Sequence, residues 1–388
     1  MLTAAGCYAR RSNLWSRIPD VVDWVLIGDA RHVQYFSNFR INPISFSADQ
    51  RCLLLLQRCG AATLLADNFV RRTASGDPVV DSEIIIPWYT HKKSVTNRDH
   101  ALVTALEECR NCWSTADGLV EAEGVTQAVA AVVAATTLPL PISRPDQSLA
   151  SVGTLIRELR RQKLPDELEL LKRCMSACDA GHVAAFKAAR PGATELDVYI
   201  AIQRAAELAA GCSCVVYGDF RATNTDVHKA GGLPTDYVLQ DGDLFIADFS
   251  VIIHGYRSDF TNTIAVSDPS GDQTRQFEAC RDALTAAECT LKAGVRASDV
   301  YDAASAVLLE RGYPALAHHC GHGLGMEHPE APILVSESDD VLLDGDVVTI
   351  EPGLYIEGVG GMRFEHNYAV TDIGAERLSN HRIGLTKK

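Results

Sequence analysis

The chain lacks any run of the ~18 uninterrupted apolar residues that a membrane-crossing helix needs, so no membrane role is expected. Its start also lacks the pattern of a secretory leader, since Arg10, Arg11 and Arg17 are followed by no long apolar run. Basic residues are the scarcer sign, 36 Lys and Arg against 50 Asp and Glu, and the net charge of -14 would repel nucleic acid and anionic lipid. There is no repeat of fixed period and no low-complexity tract. Cys109-Arg-Asn-Cys112 has redox or zinc spacing but no second pair at a finger-like distance, so no role is assigned to Cys109 and Cys112. The 12 cysteines, scattered along the chain, read as reduced thiols of a soluble, cytoplasmic protein.

What is present is the composition of a packed globular protein, 47% hydrophobic and 22% charged, and its 388 residues predict two domains. Residues 1–150 read as a small α/β domain, with strands at 23–27, 52–56, 62–65 and 83–86 and helices at 100–110 and 126–136. No constellation there suggests chemistry. Three prolines between Leu138 and Gln147 oppose both helix and central strand and mark the boundary near 150. Residues 151–388 read as an α+β domain. Helices are expected at 149–162, 165–189, 195–210, 274–293 and 297–311, and strands at 213–217, 244–253, 259–267, 346–356 and 363–371.

The candidate chemistry lies in that second part. The apolar run Leu244-Phe-Ile-Ala ends in Asp248, and Asp259 follows eleven residues later, after a Gly255-Tyr256 turn signal. The stretch His318-His-Cys-Gly-His322-Gly-Leu-Gly-Met-Glu-His328 surrounds His322 with glycines that permit close backbone approach. Val347-Val-Thr-Ile ends in Glu351, and Gly361-Met-Arg363-Phe precedes Glu365. A glutamate buried at the end of an apolar strand is costly unless something positive neutralises it. Arg363 could serve one of these carboxylates but not all four, whereas two divalent cations would balance the charge.

With these residues in place, the chain resembles, over nearly its whole length, the creatinase/prolidase/aminopeptidase P group of metallopeptidases. The resemblance implies a creatinase-like N-terminal α/β domain followed by a pita-bread catalytic domain. It implies two metal ions, manganese first and cobalt, zinc or iron as alternatives, held by Asp248, Asp259, His322, Glu351 and Glu365, with Asp259 and Glu365 bridging. It further implies that Glu351 takes or relays a proton, that His228 and His318 act on the substrate side, and that the protein is a homodimer. The activity implied is an Xaa-Pro aminopeptidase or dipeptidase that cleaves the bond before proline.

Three positions depart from the group's pattern. Position 329, where a substrate-side histidine is customary, is proline, and His328 sits one place early. On a regular strand that offset turns a side chain to the other face, unless Pro329 bends the backbone enough for His328 to substitute. Ser250 stands for a customary glycine and Asn262 for a customary arginine, and neither is expected to touch a ligand. These departures motivate a second reading, a metal-dependent hydrolase or lyase of a small non-peptide substrate, as in the creatinase branch. A third reading, a non-catalytic binding protein on the same fold, is opposed by the five intact ligand positions.

Overall fold

The computed structural model of the protein describes residues 1–42, 51–94, 97–138 and 151–386. Residues 139–147 of the expected interdomain connection lie outside the described residues. The chain divides into two compact units, Met1–Arg160 and Arg161–Lys388.

In the first unit the order is α1 (Ala4–Arg17), β1 (Trp24–Ile27), α2 (Ala30–Ser37), β2 (Cys52–Gln57), β3 (Ala62–Asp67), α3 (Asn68–Thr73), β4 (Ser82–Ile86), α4 (Asp99–Glu108), β5 (Gly118–Val120), α5 (Gln127–Val133) and α6 (Val152–Arg161). The strands form one mixed sheet in the order β4-β3-β2-β1-β5, antiparallel at its centre and parallel at both outer pairs. One face of this sheet carries Trp24, Leu26, Leu53, Leu55 and Leu65, which pack on Leu102, Ala105 and Leu106 of α4 and Val129 and Val133 of α5. Each such side chain contributes about 1.5–3 kcal/mol on full burial. The arginines near the start are not a surface feature. Arg10 and Arg11 are buried, their Nε atoms donating to the carbonyls of Tyr35 (2.7 Å) and Phe36 (3.0 Å) at the end of α2. Cys109 caps α4 as a buried thiol that burial pushes up to about 11, the opposite of what a reactive thiolate needs.

The second unit contains α7 (Pro165–Ala188), α8 (Glu195–Ala210), β6 (Val215–Thr223), β7 (Leu244–Ile253), β8 (Tyr256–Arg257), β9 (Phe260–Ala265), α9 (Gly271–Thr290), α10 (Ala297–Glu310), β10 (Gly321–Gly323), β11 (Glu330–Leu334), β12 (Val347–Ile350), β13 (Gly353–Ile356), β14 (Gly360–Arg363), β15 (His366–Thr371) and β16 (Gly374–Arg377). Pro165 opens α7, where a missing N–H costs nothing, and Thr194 caps α8 by accepting from the Asp197 N–H at 3.0 Å. One antiparallel sheet pairs β7 with β6, β8 and β9; another runs β11-β10-β12-β15-β16; β13 and β14 form a separate ribbon. The small residues Ala279, Ala283 and Ala287 of α9 and Ala297, Val300 and Ala304 of α10 let both helices share a core with Val348, Ile350, Met362, Phe364 and Tyr368.

Two strands expected as continuous are each broken. The stretch 346–356 divides at Glu351-Pro352 and 363–371 divides at Phe364-Glu365. Pro352 has no N–H to donate to a ladder. The breaks lie opposite each other, because Ile350 pairs with His366 on one side and Gly353 with Arg363 on the other.

A stack of imidazoles lies behind β9. His182 of α7 packs on Phe249, Phe260 and His381 with ring centroids 4.6, 5.1 and 4.6 Å away, and His381 packs on His366 at 4.5 Å. Burial holds His182 and His366 down to about 3 and His381 well below its ordinary value. These rings stay neutral in the fold while the unfolded chain takes up their protons below about pH 6.5, so stability falls as pH drops from there towards 3. Each ring contributes up to about 1.4 kcal/mol per pH unit to that loss. His182→Phe keeps the stacking and removes one titration. Urea midpoints of chelator-treated protein, followed from pH 7 to 4, should therefore fall less steeply for the variant than for the wild type. The variant should also be about 1 kcal/mol less stable at pH 7, having lost the bond to the Phe260 carbonyl.

Candidate metal centre

Asp248 and Asp259 reach one place through a hairpin. His254 (φ 49°) and Gly255 (φ 83°), both left-handed, make the two-residue turn that matches strand twist, one residue earlier than the sequence signal suggests. Beyond it a single register pairs Ile252 with Arg257 and Asp248 with Thr261, so Asp259 falls opposite Ser250. Residues 248 and 250 share a face, and both aspartates therefore project from the same side of the sheet. The ladder is interrupted at Ser258-Asp259. The Ser258 hydroxyl accepts the Val251 N–H at 2.9 Å, and Asn367 clamps the Asp259 peptide, accepting its N–H at 3.1 Å and donating to its carbonyl.

Glu351 and Glu365 enter from the paired breaks described above. Neither lies in a ladder, and both are buried. Threonine hydroxyls tie this region to the first sheet: Thr261 Oγ1 donates to Glu365 Oε2 at 2.7 Å and Thr263 Oγ1 to the Arg363 carbonyl at 3.0 Å. His322 arrives on β10 between Gly321 and Gly323, where a Cβ would come within 2.0 Å of the Thr349 carbonyl oxygen and 2.2 Å of the Ala331 carbonyl oxygen. Only glycine permits that approach. Its Nε2 lies 3.5 Å from both Asp259 Oδ2 and Glu351 Oε1.

The electrostatics follow from this crowding. Burial works against ionised Glu365, and Asp259, Glu351 and Asp248 add to it, pushing its carboxyl well above the usual range. For Asp248, burial again raises; Arg363 opposes and the other carboxylates assist, leaving it at about 6. Burial alone would raise Asp259 too, but His322 and His328 outweigh it and hold it low. Glu351 also ends low, because His319 and His322 overcome its burial. Burial opposes the charged form of His322, yet Asp259 and Glu351 lift it to about 9. Arg363 is the resident cation, donating to Asp248 and to Asp219 Oδ2 (3.2 Å) and Tyr355 Oη (2.8 Å). One buried oxygen, Glu365 Oε1, finds no hydrogen-bond partner among the described residues. Four carboxylates, one imidazole and an orphaned oxygen fit hard or borderline divalent cations.

One sequence expectation changes here, and one of the two alternatives left open for His328 is favoured. Ser250 does touch a ligand: its hydroxyl donates to Asp259 Oδ1 at 3.0 Å and accepts from Arg257 Nη2 at 2.6 Å. His328 is not turned away, since its Nε2 lies 2.6 Å from Asp259 Oδ2. Position 328 lies in the bend between β10 and β11 rather than on a strand, so the alternation of a regular strand does not govern it. Asn262, by contrast, is a buried anchor that donates to the Gly384 carbonyl at 2.9 Å and accepts the Gly384 N–H at 3.1 Å.

His318 Nδ1 lies 2.7 Å from the His319 carbonyl, to which it donates, which leaves Nε2 an acceptor without a partner among the described residues. His228 is half-buried in the loop after β6, its carbonyl against Gly361, and no hydrogen bond ties its ring to the carboxylates among the described residues. Sequence reasoning missed His319, whose Nε2 is 3.0 Å from Glu351 Oε1, along with Asp219 and Asn367. His319 was within reach, lying three residues before His322 in the same histidine cluster.

Residues 169–372 match the model of metallopeptidase family M24. The chain belongs to this family. It is 30% identical to an Xaa-Pro dipeptidase of Pyrococcus furiosus over 229 residues, 59% of this chain and 66% of that protein. It is 30% identical to the uncharacterized peptidase YqhT of Bacillus subtilis over 244 residues, 61% of this chain and 67% of that protein. The chain thus spans just under two-thirds of the length of the Pyrococcus furiosus relative. Among solved structures, an Xaa-Pro dipeptidase from Bacillus anthracis superposes with a TM-score of 0.76 at 22% identity, covering 99% of both chains. An X-Pro aminopeptidase from Thermotoga maritima gives 0.75 at 20% identity, over 98% of this chain and 99% of that one. These likenesses show the fold, a smaller α/β domain followed by a pita-bread domain. As a member of family M24 the chain is expected to hold divalent metal ions.

Arg363 has 14% of its side chain exposed, and removing it would strand Asp248 beside three other carboxylates. Arg363→Met should destabilise chelator-treated protein by about 3–5 kcal/mol in urea unfolding, with a smaller loss when a divalent cation is in excess. An equal loss under both conditions would detach Arg363 from the charge balance of this cluster.

Proposed function

We propose that this protein is a dinuclear metal-dependent peptidase that cleaves the bond before proline, as an Xaa-Pro dipeptidase or aminopeptidase. The observation that carries the reading is the gathering of Asp248, Asp259, His322, Glu351 and Glu365, four of them buried and Asp248 partly so, in a member of metallopeptidase family M24. The likeness to an Xaa-Pro dipeptidase of Pyrococcus furiosus, and in fold to an Xaa-Pro dipeptidase of Bacillus anthracis and an X-Pro aminopeptidase of Thermotoga maritima, supports the substrate class.

Two divalent cations held by those five residues would supply Lewis-acid chemistry, activating a water and polarising the scissile carbonyl. Glu351, whose Oε1 lies 3.0 Å from His319 Nε2, takes the proton of the attacking water. His318, with Nε2 as an acceptor and with burial disfavouring its charged form, accepts a substrate N–H rather than holding an oxyanion. The oxyanion falls to His228, from the loop after β6. Asn262 is spent on the Gly384 backbone, where it anchors the C-terminal segment, so it gives the small-molecule reading no support. Manganese as the metal, a homodimer and a cytoplasmic location rest on the family resemblance. The 12 cysteines form no disulfide among the described residues, which agrees with that compartment, and no helix among those residues is long and apolar enough to cross a membrane.

The full chain, stripped with chelator and reloaded with Mn²⁺, Co²⁺ or Zn²⁺, should cleave members of a panel of Xaa-Pro dipeptides and longer Xaa-Pro peptides. Asp259→Asn should reduce that turnover to background. Metal-loaded protein that leaves every Xaa-Pro peptide intact while hydrolysing small amides would replace this reading with the second one.

A further inference from the structure

We propose that His328 is itself a metal ligand, completing with Asp259 and His322 a nitrogen-rich site for one of the two ions. The inference rests on the two-metal reading above and deepens it. Asp259 Oδ2, His322 Nε2 and His328 Nε2 all lie within 4.8 Å of one another. Ligand atoms about 2.0–2.2 Å from one ion are spaced roughly 3–3.5 Å apart in tetrahedral or octahedral geometry. The 3.5 Å from His322 to Asp259 Oδ2 already has that spacing. The 2.6 Å from His328 to the same oxygen is a direct hydrogen bond, which opens to a ligand spacing if the ring retracts by about half an ångström. Room for that movement exists, because 37% of the His328 side chain is exposed while Asp259 and His322 are fixed and buried.

The carboxylate is turned to favour this arrangement. Ser250, itself held by Arg257, donates to Oδ1, and Asn367 pins the Asp259 peptide, so Oδ2 is the oxygen presented to both imidazoles. The His322 and His328 rings stand at 90° with centroids 4.6 Å apart, an arrangement that brings both Nε2 atoms to one oxygen rather than stacking the rings. A second imidazole raises affinity for Zn²⁺ and Co²⁺ more than for Mn²⁺, because imidazole suits the later first-row metals whereas Mn²⁺ is suited by carboxylate and water oxygens.

The test uses the full chain stripped of metal and titrated separately with Zn²⁺, Co²⁺ and Mn²⁺, with bound metal measured after equilibrium dialysis. Wild type should hold two ions per chain. His328→Ala should weaken one Zn²⁺ or Co²⁺ by at least about tenfold while changing Mn²⁺ affinity much less, and should alter the visible absorption of the Co²⁺ form. His328→Gln, which can still hydrogen-bond Asp259, should not restore either property, whereas added imidazole should restore the Co²⁺ spectrum of His328→Ala. Circular dichroism identical to wild type confirms that the exposed position tolerates both substitutions; if His328→Ala does not fold, His328→Gln alone decides. An unaltered Co²⁺ spectrum with unchanged Zn²⁺ affinity, or full recovery in His328→Gln, assigns His328 a hydrogen-bonding role and overturns the inference. Wild type that holds no divalent ion overturns the two-metal reading as well, so the two failures are distinguishable.

Discussion

Four carboxylates, three of them buried and Asp248 partly so, are crowded together, and much of the second unit's local structure is arranged around that charge. Two like charges ~5 Å apart cost about 3 kcal/mol at an effective dielectric near 20, and burial adds its own penalty for each. Within the protein Arg363 and His322 offset part of this. Two consequences mark the remainder: Glu365 is driven towards its neutral form and Asp248 is lifted to about 6. A fold optimised for stability alone would place apolar residues there. Keeping the carboxylates makes sense only if cations enter the balance.

Bringing those groups together depends on strands that stop. Asp259 sits where the β7 ladder is interrupted, and Glu351 and Glu365 sit at facing breaks between β12 and β13 and between β14 and β15. In an unbroken ribbon, alternate residues would point to opposite faces and the glutamates would be set by ladder spacing. At the breaks the backbone leaves one sheet and joins another, and side chains on both arms are free to face the same volume. Side-chain partners replace the missing ladder bonds: Asn367 and Ser258 around Asp259, Thr261 beside Glu365, Thr349 beside His322.

This division explains what could be read in advance. The α7, α8 and α10 helices and the β7 strand carry their apolar period and capping residues locally, so their limits are legible within a residue or two. The breaks at Pro352 and Glu365 are less so, since Thr-Ile-Glu351 and Phe-Glu365 look like strand continuations until their pairing partners are known. Arg10 and Arg11 resemble a solvated basic start but reach the carbonyls of α2. Asp219 and Asn367 carry no local signal of proximity to the centre, whereas His319 does, as a member of the His322 cluster. Asp219 lies 144 residues from Arg363 along the chain and meets it only because β6 pairs with β7 through Asp219 and Asp248.

The three departures from the family pattern turn out to differ in kind. Asn262 ties the C-terminal segment to β9 through backbone partners and has no part in the charge balance. Ser250 and His328, more than seventy residues apart, converge on the two oxygens of Asp259. A glycine at 250 would leave Oδ1 without the serine hydroxyl, and a histidine displaced from 328 would leave Oδ2 facing His322 alone. The substitutions therefore act on the same carboxylate from opposite sides, one fixing its rotation and the other supplying a nitrogen beside the oxygen that rotation presents. Two of the three departures thus bear on how Asp259 is held, and none falls on the five residues that the resemblance nominates as metal ligands.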